Sequence, residues 1–181
     1  ASFAFIHDGS ATAQWYGERF AELLGSAHVA SAMGGGGAVA AAMRQVFGTS
    51  DVQTDIENAE AILCIGENGV DSGKPSAVAA YGAAYEKGAK VYVLSPTMQG
   101  AKRYASEWIP GVPGTELAFV LAVAHELVKT RGFDQVYTST HIAGFDEWCE
   151  TLADFTPEAA QDVTGIAAAT VKKVASSLKA S

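Results

Sequence analysis

Five consecutive apolar residues, Ala61–Ile65, lie between the mixed run Asp55-Ile56-Glu57-Asn58-Ala59-Glu60 and the loop Gly66-Glu67-Asn68. A run this short, with no polar alternation, predicts a strand covered on both faces rather than a helix. The same pattern predicts a first buried strand over residues 2–6, another over 89–94, and a short extended piece at Trp108-Ile109-Pro110. Between these runs the apolar period becomes helical. Trp15, Arg19, Phe20, Leu23 and Leu24 recur at helical spacing until Gly25, a common helix stop. Residues 38–47 read as a helix after Met33-Gly34-Gly35-Gly36-Gly37, and residues 55–59 as a short helical turn. Pro75 suits the first position of a helix that ends at Lys87-Gly88, and Pro113-Gly114-Thr115 introduces a long helix ending near residue 129. From Phe133 onward the pattern is helical only, over 133–141, 145–154, 157–164 and 167–179.

Strand and helix thus alternate through the first two-thirds of the chain and stop alternating in the last third. That order predicts an α/β fold with a doubly wound, mostly parallel sheet, a Rossmann- or flavodoxin-like three-layer sandwich with a C-terminal helical extension. The expected division is an α/β core over residues 1–132 and a helical extension over 133–181, packed together as one compact unit. A chain of 181 residues with 49% hydrophobic and 18% charged residues has the composition of an ordinary globular domain. Its net charge of −8 repels polyphosphate backbones, so nucleic acid is not an expected partner. A compact nucleotide remains compatible, because helix-start amides supply local positive potential. No apolar stretch is long enough to span a membrane. The chain opens on a strand with no basic-then-apolar leader, which fits a cytoplasmic protein, one whose leader was removed, or a piece of something longer.

Three loops fall at the carboxyl ends of expected strands: His7-Asp8-Gly9-Ser10, residues 66–75, and Ser95-Pro96-Thr97. Parallel strands put such loops on one edge of the sheet, where ligands of α/β proteins bind. Gly66 permits close backbone approach, and Asn68 and Asp71 offer bonds to hydroxyls or a base edge. Pro113-Gly114-Thr115-Glu116 opens a helix whose free amides suit a phosphate or a capping side chain. Glu116 has the acceptor geometry for the adjacent ring and amino donors of guanine. Other features carry less. His7, His28, His125 and His141 lack metal-ligand spacing, and His125 reads as a satisfied core or interface histidine. Ser10 follows Gly9 without the remainder of a nucleophile elbow, and Gly34 to Gly37 lack the Gly-Lys-Ser/Thr ending of a P-loop. Cys64 and Cys149 are expected to be buried, reduced thiols, and Trp15, Trp108 and Trp148 core or interface anchors.

Taken in order, these blocks resemble the dimethyl sulfoxide reductase family of molybdopterin oxidoreductases. The run 55–60 leads to Ile65-Gly66-Glu67-Asn68 with Asp71 and Pro75, then Gly88-Ala89-Lys90-Val91 and Leu94-Ser95-Pro96-Thr97. Ala105-Ser106-Glu107-Trp108-Ile109-Pro110, Pro113-Gly114-Thr115-Glu116 and Ala124-His125-Glu126-Leu127 follow. His141-Ile142-Ala143-Gly144-Phe145, Phe155-Thr156-Pro157-Glu158 and Thr164-Gly165-Ile166 complete a collinear match over nearly the whole chain. The resemblance implies a domain that binds one guanine dinucleotide arm of a bis-molybdopterin guanine dinucleotide carrying Mo or W, shared with other domains. The cofactor-binding residues it implies are Gly66, Asn68, Asp71, Ser95, Thr97, Gly114, Thr115 and Glu116. It also implies a redox enzyme of the bacterial cytoplasm or periplasm, with an iron–sulfur electron-transfer partner among its remaining domains or subunits.

The chain departs from the family pattern at several positions. Ser95 and Thr97 stand where the family usually has the Asp and Arg of an Asp-Pro-Arg triplet, while Glu116 keeps the carboxylate of the usual Asp. The metal-ligand position falls near Gly34, which has no side chain to donate. Three readings follow for that position: a metal without a protein ligand, a catalytically dead site, or an engineered loop. The Cys-rich iron–sulfur segment has no counterpart here, and the chain is much shorter than a family catalytic subunit. The expectation is therefore a cofactor-binding part of a larger oxidoreductase, with this chain alone inactive. The alternatives are a structural module that has lost the cofactor and serves subunit assembly, or a nucleotide-binding domain without metal.

Overall fold

A computed structural model of the chain describes residues 3–7, 11–31, 36–50, 52, 54–66, 75–98 and 103–179. The chain divides into two compact units, Ala1–Thr54 and Asp55–Ser181.

In the first unit, β1 (Phe5–His7), α1 (Ala11–Leu23), β2 (Val29–Ser31) and α2 (Gly36–Phe47) follow one another. β1 and β2 pair in parallel, Phe5 opposite Val29 and His7 opposite Ser31. β2 has no counterpart in the sequence pattern, since three residues are too few to register as an apolar run. The face of α1 that meets the strands is its small-residue face. Gly17 and Ala21 are buried, and a Cβ on Gly17 would overlap the Phe5 ring. The large side chains at helical spacing, Trp15, Phe20, Leu23 and Leu24, are exposed instead. Buried Ser26 ties the strand ends, donating from its hydroxyl to the Phe3 carbonyl at 2.6 Å and accepting from the His28 amide at 3.2 Å.

The second unit holds β3 (Ala61–Ile65), α3 (Pro75–Glu86), β4 (Lys90–Leu94) and β5 (Glu107–Ile109). The helices α4 (Glu116–Lys129), α5 (Gln135–His141), α6 (Phe145–Thr151), α7 (Pro157–Thr164) and α8 (Ala168–Leu178) follow. Its sheet has the order β3-β4-β5, all parallel, with Ile65 opposite Leu94 and Leu94 opposite Ile109. The central strand β4 is buried from Val91 through Leu94. Its alternate residues feed two cores, as the two-residue strand period requires. Tyr92 and Leu94 pack with Ile109, with Phe119, Ala122 and Val123 of α4, and with Val171 and Val174 of α8. Val91 and Val93 pack on the other face with Cys64, Tyr81 of α3 and the partly buried Ile56 and Tyr104. Helices on both faces of a parallel sheet make this the expected α/β fold.

Local signals set the element ends. Thr156 caps α7 by accepting from the Ala159 amide at 3.1 Å, Pro157 occupies the first turn, and Gly165 ends the helix at φ 71°. α6 stops at Thr151, short of the expected 154, where the Leu152 carbonyl is taken by His125 Nδ1 at 2.8 Å. The helices after residue 133 belong to the same compact unit as the sheet. Tyr92 and Ser177 hydroxyls meet at 2.7 Å, Lys173 reaches Glu107 at 2.6 Å, and the Val112 amide donates to the Thr164 carbonyl at 3.1 Å.

Candidate functional site at the carboxyl edge of the sheet

Three chain segments meet where β4 ends. The Gly66 amide, at φ 71°, donates to the Leu94 carbonyl at 3.0 Å and so closes the edge between β3 and β4. The next residue, Ser95, donates its amide to Ile109 at 3.2 Å, and its carbonyl accepts from the Trp108 indole at 2.8 Å. Its hydroxyl accepts from the Thr97 amide at 3.4 Å. The loop after β4 is thereby held from both the β3 and the β5 side.

The third segment is the entry to α4. Gly114 sits at φ 86°, a left-handed conformation that disfavours side chains. Thr115 then turns its amide and its hydroxyl back to the Val112 carbonyl, at 3.2 and 2.6 Å. Its side chain makes no cap to α4, and the first turn-closing bond runs from the Phe119 amide to the Thr115 carbonyl. The amides of the first helical turn have no intrahelical acceptor, and Thr115 does not supply one. Glu116 stands in that first turn, half-buried.

A narrow cleft, too tight to admit a water molecule, lies between these segments. Leu94, Ser95 and Pro96 form one side, and Gly111, Val112, Thr115 and Glu116 the other, with Phe119 and Ile166 also lining it. Of the residues expected from sequence, Ser95, Thr115 and Glu116 share this cleft. Thr97, Gly114 and Gly66 are exposed at neighbouring turns of the same edge, outside its lining. Asn68 and Asp71 lie outside the described residues, as do Gly34 and the loop residues Asp8, Gly9 and Ser10. Trp108 was expected as a core or interface anchor and not as part of this edge, and Gly111 and the part played by Ile166 were not singled out by residue chemistry. Ile166 enters the sequence reading only within the collinear run Thr164-Gly165-Ile166.

Neither cysteine is an activated thiol. Burial pushes Cys64 upward, partly opposed by its hydrogen bond with Tyr81 at 3.2 Å. Cys149, only half-buried rather than buried as expected, is pushed upward by burial and by the charge of Asp146. Both stay protonated at neutral pH. A wider groove of about 520 Å³ runs along Arg131, Gln135, Phe145 and Glu147, and none of the residues expected from sequence lines it.

A parallel α/β unit with a mixed polar and apolar cleft at its strand ends belongs to the class of folds that bind ligands at the sheet edge. The family model described as "Molybdopterin oxidoreductase" matches residues 2–142, and the chain belongs to that family. The F420-dependent formate dehydrogenase 1 subunit alpha of Methanococcus maripaludis is 32% identical over 126 residues, covering 68% of this chain and 18% of that protein. The menaquinone reductase, molybdopterin-binding-like subunit of Nitratidesulfovibrio vulgaris is 30% identical over 138 residues, covering 72% of this chain and 19% of that protein. Among solved structures, acetylene hydratase from Pelobacter acetylenicus superposes with a TM-score of 0.73 at 25% identity, over 87% of this chain and 22% of that one. The chain therefore spans about a fifth of the length of these relatives. The resemblance drawn from the collinear blocks is thus correct.

Proposed function

We propose that this chain holds one guanine nucleotide arm of a bis-molybdopterin guanine dinucleotide and positions it for redox catalysis by a complete enzyme. The carrying observation is the meeting of Glu116, Ser95 and the uncapped start of α4 in one cleft at the carboxyl edge of a parallel sheet. The donor set fits such a group. A carboxylate at Glu116 accepts from two adjacent N–H donors of a guanine edge, and free helix-start amides suit a phosphate. Pro96 and Val112 add exposed apolar surface for a flat base. The cleft is too tight to admit a water molecule, against the roughly 300–1,000 Å³ of a ligand pocket, so in this reading the nucleotide lies along its mouth or its walls part on binding. Asn68, Asp71, Gly66, Thr97 and Gly114 complete the proposed contacts.

When bound, the cofactor supplies the redox-active Mo or W. The chain's own residues bind and orient it. Ser95 and Thr97 in place of the family's Asp and Arg give a neutral loop after β4, so affinity rests more on Glu116 and the α4 amides. The partners are the remaining domains or subunits of the oxidoreductase, including an iron–sulfur electron carrier. Among the described residues no helix is long and apolar enough to cross a membrane.

A second reading, a structural module that has lost the cofactor, is favoured by the same two substitutions and by glycine at the metal-ligand position. One relative carries the name "molybdopterin-binding-like". Metal analysis and acid release of nucleotide from protein purified with its native partners decide between them. Mo or W with guanine nucleotide supports cofactor binding, and finding neither supports the structural module. Asn68→Ala combined with Glu116→Ala should lower cofactor retention while the circular dichroism spectrum stays that of the parent. Retention equal to the parent's would mean the site lies elsewhere.

A further inference from the structure

The groove of about 520 Å³ along α5 and α6 shares no residue with the cleft at the end of β4. Half-buried Phe133 and Phe145 line it with their rings 5.0 Å apart, and Ile142, 44% exposed, adds a third apolar wall. Trp148 lies 6.0 Å from Phe145, ring to ring, and at 43% exposure it extends the apolar surface along α6. Asp146 and Glu147 stand exposed in the same lining and make no ion pair among the described residues. The surroundings carry the same sign. Between Arg131 and Lys172 the chain has no lysine or arginine, and it has exposed carboxylates at 134, 146, 147, 150, 154, 158 and 162. Among the described residues Arg131 is the one cation lining the groove, held at φ 51° by the turn that ends α4.

We infer that this groove docks a cationic amphipathic helix of a separate protein. Its apolar side chains seat on Phe133, Ile142 and Phe145, and its lysines or arginines meet Asp146 and Glu147. An apolar centre inside a polar rim is the anatomy of a protein-binding surface, and a groove between two helices suits the apolar face of a third. Charge selects the occupant. A second copy of this chain, at net charge −8, brings like charge to the rim, which opposes association. Anionic lipid and nucleic acid are repelled for the same reason. Carboxylates at a rim speed the capture of a cationic partner that arrives by diffusion, an advantage that a covalently tethered segment does not need. Arg131 suits the carbonyl end of the bound helix, where a cation is favoured. Asp146 and Glu147 lie beyond residue 142, where the family match ends, so membership of the family does not assign the groove. Docking here does not depend on nucleotide binding at the cleft.

The test uses the 181-residue chain and a synthetic helical peptide of lysine and leucine, with affinity read by calorimetry and the contact face by amide chemical shifts. The peptide should bind at low salt and shift the amides of residues 131–147 most, and a peptide with glutamine in place of lysine should not bind. Asp146→Lys with Glu147→Lys should weaken binding about tenfold or more, since each reversal turns an attraction into a repulsion. Glu60→Lys with Glu86→Lys makes the same change in net charge at exposed sites outside the groove, and should weaken it less than about twofold. Ile142→Asn removes an apolar wall at constant charge and should weaken binding severalfold. Circular dichroism checks that each variant folds, and the shift map of the parent together with the two charge-reversed pairs decides even where Ile142→Asn does not. Equal weakening by the two pairs, or no loss in folded Ile142→Asn, would reduce the binding to net charge and overturn the docking groove. No binding by the parent, or the largest shifts elsewhere, would overturn it too. Binding to phosphatidylserine vesicles lost in Ile142→Asn, or self-association lost in the same variant, would assign the groove to a membrane or to a second copy and equally overturn it.

Discussion

In residues 55–181 the large side chains Phe119 and Leu152 are closed off from solvent, whereas in residues 1–54 Trp15, Leu23 and Val46 are 61%, 78% and 74% exposed. The second unit has a three-stranded sheet with apolar cores on both faces. The first pairs two strands of three residues, and among its residues whose burial is described only Gly17, Ala21 and Ser26 are buried. Full burial of one large apolar side chain stabilises by roughly 1.5–3 kcal/mol. The second unit collects that contribution many times and the first hardly at all. A helix whose large residues face outward while its small ones face the strands contributes little core of its own. The contrast teaches that the same strand–helix grammar gives self-sufficient packing only where a central strand is covered twice.

The comparison can be broken most directly by truncating one aromatic side chain in each unit. Phe119→Ala should cost about 3–5 kcal/mol in urea unfolding, as for other buried Phe truncations. Phe20→Ala, at a position 52% exposed, should cost less than about 1 kcal/mol. Equal costs would mean that α1 carries hidden core. Next in size, Gly17→Ala drives a methyl into the Phe5 ring and should destabilise the first unit by about 1–3 kcal/mol. Replacing Phe5 with Leu in the same chain should return part of that loss. Hydrogen exchange sharpens the contrast without mutation. Amides of β4 should exchange orders of magnitude more slowly than those of β1, because opening β4 requires unpacking two cores.

The smallest effect is electrostatic and confined to the second unit. Lys172 Nζ meets Glu158 Oε1 at 2.7 Å on the surface. That hydrogen bond, first, and the lysine charge hold the Glu158 carboxyl below its usual range, and the carboxylate raises Lys172. A lowered carboxyl contributes stability above its unfolded value and loses it as pH falls through the folded one. The raised lysine contributes below its ordinary value and loses that only as pH rises past the folded one. Lys172→Met should therefore lower the thermal midpoint slightly at neutral pH, with the difference vanishing in acid and in high salt. A difference that persists in acid would assign the effect to packing of the lysine stem.

Continuous apolar character was enough to place Ala61–Ile65 as β3 with both ends correct, and Pro157 with Gly165 bounded α7 in the same way. Strands buried on both faces and helices with a capping hydroxyl and a terminal glycine announce themselves locally. β2 did not, because three residues hydrogen-bonded to a distant strand leave no periodic trace. The helical stripe of α1 was correctly periodic, yet which face met the strands depended on the Phe5 ring fitting over Gly17.

Sequence alone determined the alternation of strands and helices and the family, and it singled out Ser95, Thr115 and Glu116, which the structure brings to one cleft. Those follow from side-chain chemistry and spacing along the chain. Only the tertiary structure decided that Thr115 spends its hydroxyl on Val112 instead of capping α4, that Trp108 anchors the Ser95 carbonyl, and that Ile166 closes the cleft. Each is a contact between groups whose meeting is set by strand register and helix packing, and no local pattern encodes a distance across the fold.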